Sequence, residues 1–417
     1  MLAVLRALLG RVVRRGTLEV DTASGSRFIV GDGSGERVAV RVADSGAVWQ
    51  LILRPGLALG ELYMDGRIVV TQGSVWNLLM ILGGNLGCQS PPGIAWAYDW
   101  LGVALRPLNQ RNTARRATRN AAHHYDLDGR LYSLFLDPDM QYSCAYFDHP
   151  GHSLEEAQLA KKRHIAAKLL VEPGHSVLDI GSGWGGLALY LAERCGAKVI
   201  GITLSEAQLA ASTARSSTRG LSEHAEFRLQ DYRAVSGRFD RIVSVGMFEH
   251  VGIGYYDAFF AKVAELLTDD GVMLLHSIGR SDGPSPTNPW IAKYIFPGGH
   301  TPALSEVLPA IERAGLIVTD IEILRLHYAE TLKVWRERFL CRREDAKARY
   351  DDRFCRMWEF YFAAAECGFR HSGLMVFQIQ LAKRLATVPL TRDYIGTCEA
   401  MLRTKEGWQP DQKIAAE

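Results

Sequence analysis

The sequence predicts an α/β protein in which a doubly wound, mostly parallel sheet follows a smaller α+β domain. Three observations carry this. From about residue 153 onward, short apolar runs alternate with amphipathic stretches of helix length. A glycine-rich stretch, Val177 to Gly186 (VLDIGSGWGG), joins the first such run to the first such helix. Before residue 71 the pattern differs: apolar and polar residues alternate at period two, and Gly- and Asp-rich turns interrupt them.

The 417 residues exceed one small core. At roughly 100–200 residues per domain, two or three regions are expected. The composition, 47% hydrophobic and 23% charged, is that of an ordinary globular chain, and a net charge of +2 does not favour nucleic acid. The seven cysteines (88, 144, 195, 341, 355, 367, 398) form no Cys-x-x-Cys pair. They read as reduced thiols in a cytoplasm, not as a disulfide frame or zinc site. No stretch reaches the roughly 18 apolar residues of a membrane span. Residues 1–16 (MLAVLRALLGRVVRRG) are interrupted by Arg6 and lack a small-residue cleavage site, so a signal peptide is not expected.

Taken in order, Leu2, Leu5, Leu9, Val12 and Val13 share one helical face, while Arg6, Arg11, Arg14 and Arg15 lie largely elsewhere. Such a helix rests on a membrane surface or packs on its own domain, and packing is the default. Residues 17–70 read mostly as β, with strands at 18–21, 27–30 and 37–42. Residues 75–105 look helical, broken at Gly83-Gly84 and Pro91-Pro92. Residues 106–120, with five arginines, read as a basic linker. These set the expected organisation: an N-terminal α+β domain at 1–105, the linker at 106–120 and a catalytic domain at 121–400.

In the second domain, Ser153-Leu-Glu-Glu is a capping box before a helix to about 170. Strands follow at 175–180, 198–203, 225–229, 238–245 and 272–277, with helices at 186–194, 205–219 and 255–267. Residues 281–300, with four prolines and three glycines, read as an inserted loop. A helix at 305–313, a strand at 318–324, a charged helical region at 329–366 and a strand at 374–381 complete the reading.

The glycine loop runs Asp179-Ile-Gly181-x-Gly183-x-Gly185. Its spacing departs from the dinucleotide pattern and matches the form expected when the ligand is S-adenosylmethionine, which has no pyrophosphate to cradle. The next strand ends Gly201-Ile-Thr203-Leu204-Ser205, without the acid that usually binds ribose hydroxyls. Thr203 and Gln208 must serve, or the ribose is held differently. The stretch GMFEHVG (Gly246 to Gly252) raises a further question. A strand end is a costly place for the carboxylate of Glu249 unless something binds it. His250 beside it reads more readily as a structural histidine. His123-His124 and His149/His152 lack a metal-ligand pattern, and no metal is expected.

HYDLDGRLYSLFLD (124–137), MQYSCAYF (140–147), LDIGSGWGG, GITLS, FDRIVSVGMFEHVG (239–252), WIAKYIFPGG (290–299) and HYAETLKVW (327–335) occur in that order. Together they closely resemble the mycolic-acid cyclopropane synthase superfamily, strongly over about 121–390 and more loosely toward the N-terminus, where the longer phospholipid-acting members have a further domain. The family pattern usually has Cys where Ser182 stands and a different pair at His300-Thr301. The resemblance implies a seven-stranded, Rossmann-like methyltransferase sheet. It also implies transfer of a methylene to the cis double bond of a phospholipid acyl chain, or alternatively a branched methyl or methylene product. An inert lipid-carrying domain is the reading from another class, and the intact loop argues against it.

By motif match, Tyr142, Ser143, Asp179, Gly181, Gly183, Gly185, Thr203, Leu204, Gln208, Asp231 and Tyr232 would hold S-adenosylmethionine. Cys144, Glu249, His276, the backbone of Ile278 and Tyr328 would hold bicarbonate, the implied proton acceptor. The implied partners are an unsaturated phospholipid, the inner face of a membrane and a second copy in a homodimer.

Overall fold

The computed structural model describes residues 2–87 and 129–407. The expected linker at 106–120, the Pro91-Pro92 break, Cys88 and His123-His124 lie outside the described residues.

In the N-terminal lobe, α1 (Leu2–Val12) precedes a four-stranded sheet of order β2-β1-β3-β4, formed by β1 (Thr17–Thr22), β2 (Arg27–Val30), β3 (Arg37–Val42) and β4 (Ile68–Gln72). The apolar face of α1 turns inward: Leu5 and Val13 are buried in the lobe core, with Leu2, Leu9 and Val12 against them. Arg6, Arg11, Arg14 and Arg15 are exposed. The helix therefore packs on its own lobe.

The reading of 17–70 as mostly β is corrected between 45 and 64, where two helices stand, α2 (Ser45–Leu53) and α3 (Pro55–Met64). Asp44 caps the first by accepting from the Ala47 N–H at 2.8 Å, and Pro55 opens the second, where its missing N–H costs nothing. Gly83 and Gly84 do not break α4 (Val75–Leu86). A side chain at Gly83 would collide with Cys367 Sγ, so this glycine permits close helix packing.

The second lobe carries a seven-stranded sheet of order β10-β11-β9-β8-β5-β6-β7. Its strands are β5 (Ser176–Ile180), β6 (Lys198–Thr203), β7 (Ala225–Leu229), β8 (Phe239–Val245), β9 (Leu267–Arg280), β10 (Ile317–Ile323) and β11 (Leu374–Ala382). The pairs from β9 through β7 are parallel, and β11 runs antiparallel to both neighbours. The chain leaves β5 toward β6 and β7, then returns to β8 and β9. The carboxyl ends of β5 and β8 thus flank the switch point where such sheets bind ligands.

Around the sheet lie α5 (Leu154–Lys168), α6 (Gly186–Cys195), α7 (Glu206–Thr218), α8 (Tyr256–Leu266), α9 (Pro289–Tyr294) and α10 (Leu304–Arg313). The region read as one charged helical stretch is three helices: α11 (His327–Cys341), α12 (Arg343–Arg349) and α13 (Asp352–His371). A last helix, α14 (Asp393–Lys405), was not anticipated. It packs on α5, where His164 Nδ1 meets Glu399 at 2.7 Å.

The segment 281–300 is not simply a loop, because α9 docks on α3. The Trp290 ring occupies the space a side chain at Gly60 would need, its Nε1 reaches Met64 Sδ at 3.3 Å, and Tyr294 donates to Glu61 at 2.8 Å. Tyr63 donates to Glu359 at 2.7 Å, which ties α3 also to α13.

Candidate active site

Two adjoining chambers open at the carboxyl ends of β5, β6 and β8. The first is built on the glycine loop. Gly181, Gly183 and Gly185 have φ of 84°, 55° and 83°, a region that side chains avoid. Space adds to the requirement, since a Cβ on Gly181 would come within 2.8 Å of Met247 and one on Gly185 within 2.8 Å of Phe227 and Ser212. Gly183 has no neighbour within 4 Å and faces the chamber.

Tyr142, Ser143, Asp179, Gly181, Gly183, Thr203, Leu204, Gln208, Asp231 and Tyr232 all line this chamber. Gly185 alone of the expected cofactor residues does not; it sits behind the loop as N-cap of α6. At the tip of β6, Thr203 Oγ1 donates to Gln208 Oε1 at 2.8 Å. That leaves the Gln208 amide nitrogen to donate, so this buried pair presents polar groups where the acid is missing. Burial alone would raise the Asp231 carboxyl, but Arg233, at 2.6 Å, holds it below the usual carboxylate range. Asp179 has no such partner. It is 2% exposed, its Oδ2 is buried without a hydrogen bond, and burial raises it to about 7.

The second chamber is lined by all five residues of the expected bicarbonate set, Cys144, Glu249, His276, Ile278 and Tyr328. Glu249 follows β8 on a single 3-10 turn, Phe248–His250. Its Oε1 accepts from the Ile278 N–H at 2.6 Å, and its Oε2 is buried without a partner. Burial raises its carboxyl to about 7, against the opposing pull of that N–H. Burial lowers His276 to about 3, so its ring is neutral. The Gln378 amide lies 3.2 Å from His276 Nδ1; with that nitrogen accepting, Nε2 carries the proton and is a donor. Burial also keeps the Cys144 thiol protonated. Ile278, Ile291 and Phe296 supply an apolar side.

Tyr142, Ser143, Gly246 and His250 line both chambers and form their common wall. His250, read from sequence as structural, is thus in the site; burial lowers it to about 4, so it is neutral. Trp184, within the glycine loop, lines the first chamber as well; Lys161 and Gln141 also line it and were not anticipated. No local signal marks them, since Lys161 stands in a charged helical run, LAKKRH, that reads as solvated. Among the described residues no cluster of three or more His, Cys, Asp or Glu could hold a metal ion. No described helix is long and apolar enough to cross a membrane.

Residues 112–379 match the family model for mycolic acid cyclopropane synthetase. The chain is 38% identical over 344 residues to cyclopropane-fatty-acyl-phospholipid synthase of Escherichia coli, covering 82% of this chain and 87% of that protein. It is 35% identical over 401 residues to tuberculostearic acid methyltransferase UfaA1 of Mycobacterium tuberculosis, covering 91% and 92%. Among solved structures, the cyclopropane synthase MmaA2 from Mycobacterium tuberculosis superposes with a TM-score of 0.61 at 33% identity, over 64% of this chain and 98% of that one. The mycolic acid cyclopropane synthase CmaA1, complexed with SAH and CTAB, superposes with a TM-score of 0.60 at 33% identity, over 63% and 97%.

Proposed function

Because this chain belongs to the mycolic acid cyclopropane synthetase family, we propose that it transfers a methylene from S-adenosylmethionine across the cis double bond of an unsaturated phospholipid acyl chain. The observation that carries this reading is the pair of chambers with one common wall. One is built on the glycine loop and carries the polar groups of Asp179, Gln208 and Asp231; the other is apolar on one side and has an unpartnered buried carboxylate oxygen on the other. A methyl donor in the first and an alkene in the second would meet beside Tyr142 and Gly246.

An alkene is a weak nucleophile, and taking a methyl group leaves a cation on the acyl chain. A proton must then leave before the ring closes. Bicarbonate held among Cys144, Glu249, His276, Ile278 and Tyr328 would supply the proton acceptor. The residues fit such an anion. His276 offers an N–H, Ile278 offers a backbone N–H now directed at Glu249, and Glu249 Oε2 is an acceptor suited to a single hydroxyl. Glu249, His276 and Cys144 are all buried, which keeps water from quenching the cation. The ring of Tyr142, stacked on Trp335 at 5.3 Å, adds an aromatic group to the common wall.

Lipid mass spectrometry of cells with and without the chain tests this. The expected product carries one added CH2 and no alkene at the modified position. A product with a branched methyl or a methylene group would favour the second reading, which the long match to UfaA1 supports. An unchanged lipid profile overturns both.

The domain boundaries (1–105, 106–120, 121–400) belong to the same proposal. So do a cytoplasmic location at the inner face of the membrane and a role for the N-terminal lobe in lipid handling or homodimer formation. The docking of α9 on α3 supports the lipid role, because Ile291 of α9 lines the apolar chamber.

A further inference from the structure

Resting on that reading, we infer that Lys161 is the cationic half of a clamp for the zwitterionic amino-acid end of S-adenosylmethionine, with Asp179 as its anionic half. Lys161 lies in the middle of α5 and is 0% exposed. A buried ammonium persists only where acceptors surround it. Two are present: Nζ donates to Gln141 Oε1 at 2.7 Å and to Ser143 Oγ at 2.8 Å. An ammonium has three N–H groups. The third has no protein acceptor among the described residues, and Lys161 lines the cofactor chamber.

The Ser143 contact fixes a second donor. An ammonium can only donate, so Ser143 Oγ accepts and its own hydroxyl proton is free to point elsewhere. Ser143 stands in the wall between the chambers, so a free N–H and a free O–H converge on one place. That pair suits a carboxylate. Gln158 fixes the segment that carries Gln141 and Ser143, donating to the Gln141 carbonyl at 3.3 Å and the Ser143 carbonyl at 3.0 Å. On the same chamber, Asp179 Oδ2 is buried without a partner, which suits an ammonium. A ligand with both charges satisfies both groups at once, whereas a nucleoside without the amino-acid end satisfies neither. Burial lowers Lys161 to about 8 and raises Asp179 to about 7, and an opposite charge brought to either group favours its charged form.

Calorimetry with two ligands tests this. S-adenosylhomocysteine carries the amino-acid end; 5′-methylthioadenosine keeps the nucleoside and lacks it. Lys161→Met should weaken S-adenosylhomocysteine by about 10- to 100-fold, the range for one charge-assisted hydrogen bond, and leave 5′-methylthioadenosine unchanged. Equal weakening of both ligands, or of neither, overturns the inference. If Lys161→Met does not fold, Ser143→Ala decides: it keeps the cation and removes one donor, and a loss confined to S-adenosylhomocysteine is expected. Loss of both or neither again overturns the inference. Wild-type protein that binds neither ligand would instead take down the methyltransferase reading and this inference with it.

Discussion

Replacing Glu249 by glutamine separates the charge of this side chain from its shape. In the folded protein its carboxyl is raised from 4.5 to about 7 by burial. At about 1.4 kcal/mol per pH unit, that difference corresponds to roughly 3 kcal/mol. The folded acid holds its proton more tightly than the unfolded one. Its stabilising contribution is therefore full below pH 4.5 and is lost as pH rises through about 7. Glutamine does not titrate. It keeps the acceptor for the Ile278 N–H but places an amide donor where Oε2 has no partner, a pH-independent cost of about 1–3 kcal/mol. The variant should thus be less stable than wild type near pH 5 and close to it at pH 8. Turnover should fall by on the order of 10²-fold or more, as for removal of one electrostatic or acid–base element. Affinity for S-adenosylmethionine should not change. The assays are urea unfolding from pH 5 to 8.5 and lipid turnover on vesicles. Parallel stability curves would refute the burial argument, and near wild-type turnover would refute the role of the carboxylate.

Gly183→Val should abolish S-adenosylmethionine binding, because its φ of 55° and its open side toward the chamber both exclude a branched side chain; unchanged affinity by calorimetry removes the loop from the site. Gly60→Val should push Trp290 off α3, with an overpacking cost of about 1–3 kcal/mol, raising the KM for lipid while S-adenosylmethionine affinity holds; an unchanged KM would mean that this docking does not shape the acyl chamber. Binding to anionic vesicles should weaken as salt rises if exposed Arg6, Arg11, Arg14 and Arg15 contribute, at about 1 kcal/mol each; salt-insensitive co-sedimentation would exclude them. Leu5→Asp should unfold the N-terminal lobe rather than merely release it from vesicles, because Leu5 is 4% exposed in the lobe core; an unchanged circular dichroism spectrum and melting point would contradict the packing of α1.

Features that depend on neighbours in sequence were legible. The loop at 181–185 needs positive φ at alternating positions, and only glycine supplies that cheaply, so its ligand class could be read from spacing. Ser153 and Glu156 cap α5 through contacts three residues apart, and the pattern is visible as letters. The β-α-β rhythm fixed the parallel sheet for the same reason. The misreading of α2 and α3 has a local cause too: the Asp44 cap and Pro55 are helix-start signals that the alternating strands before them obscured.

By itself the sequence determined the sheet, the glycine loop and, through its ordered motifs, the family, and it named the residues expected in both site sets. The tertiary structure decided which of those groups lack partners. Nothing local says that Glu249 Oε2 and Asp179 Oδ2 are orphaned, or that Tyr142, Ser143, Gly246 and His250 form one wall. The clearest case is α5, whose Gln158, Lys161, Lys162, Arg163, His164 and Lys168 would be solvated on an isolated helix. Packing against α14, β10 and the segment 139–148 buries them and supplies a partner for each charge. Burial and hydrogen bonding depend on what the rest of the chain brings up, often from hundreds of residues away, and these control where a proton or an anion can sit.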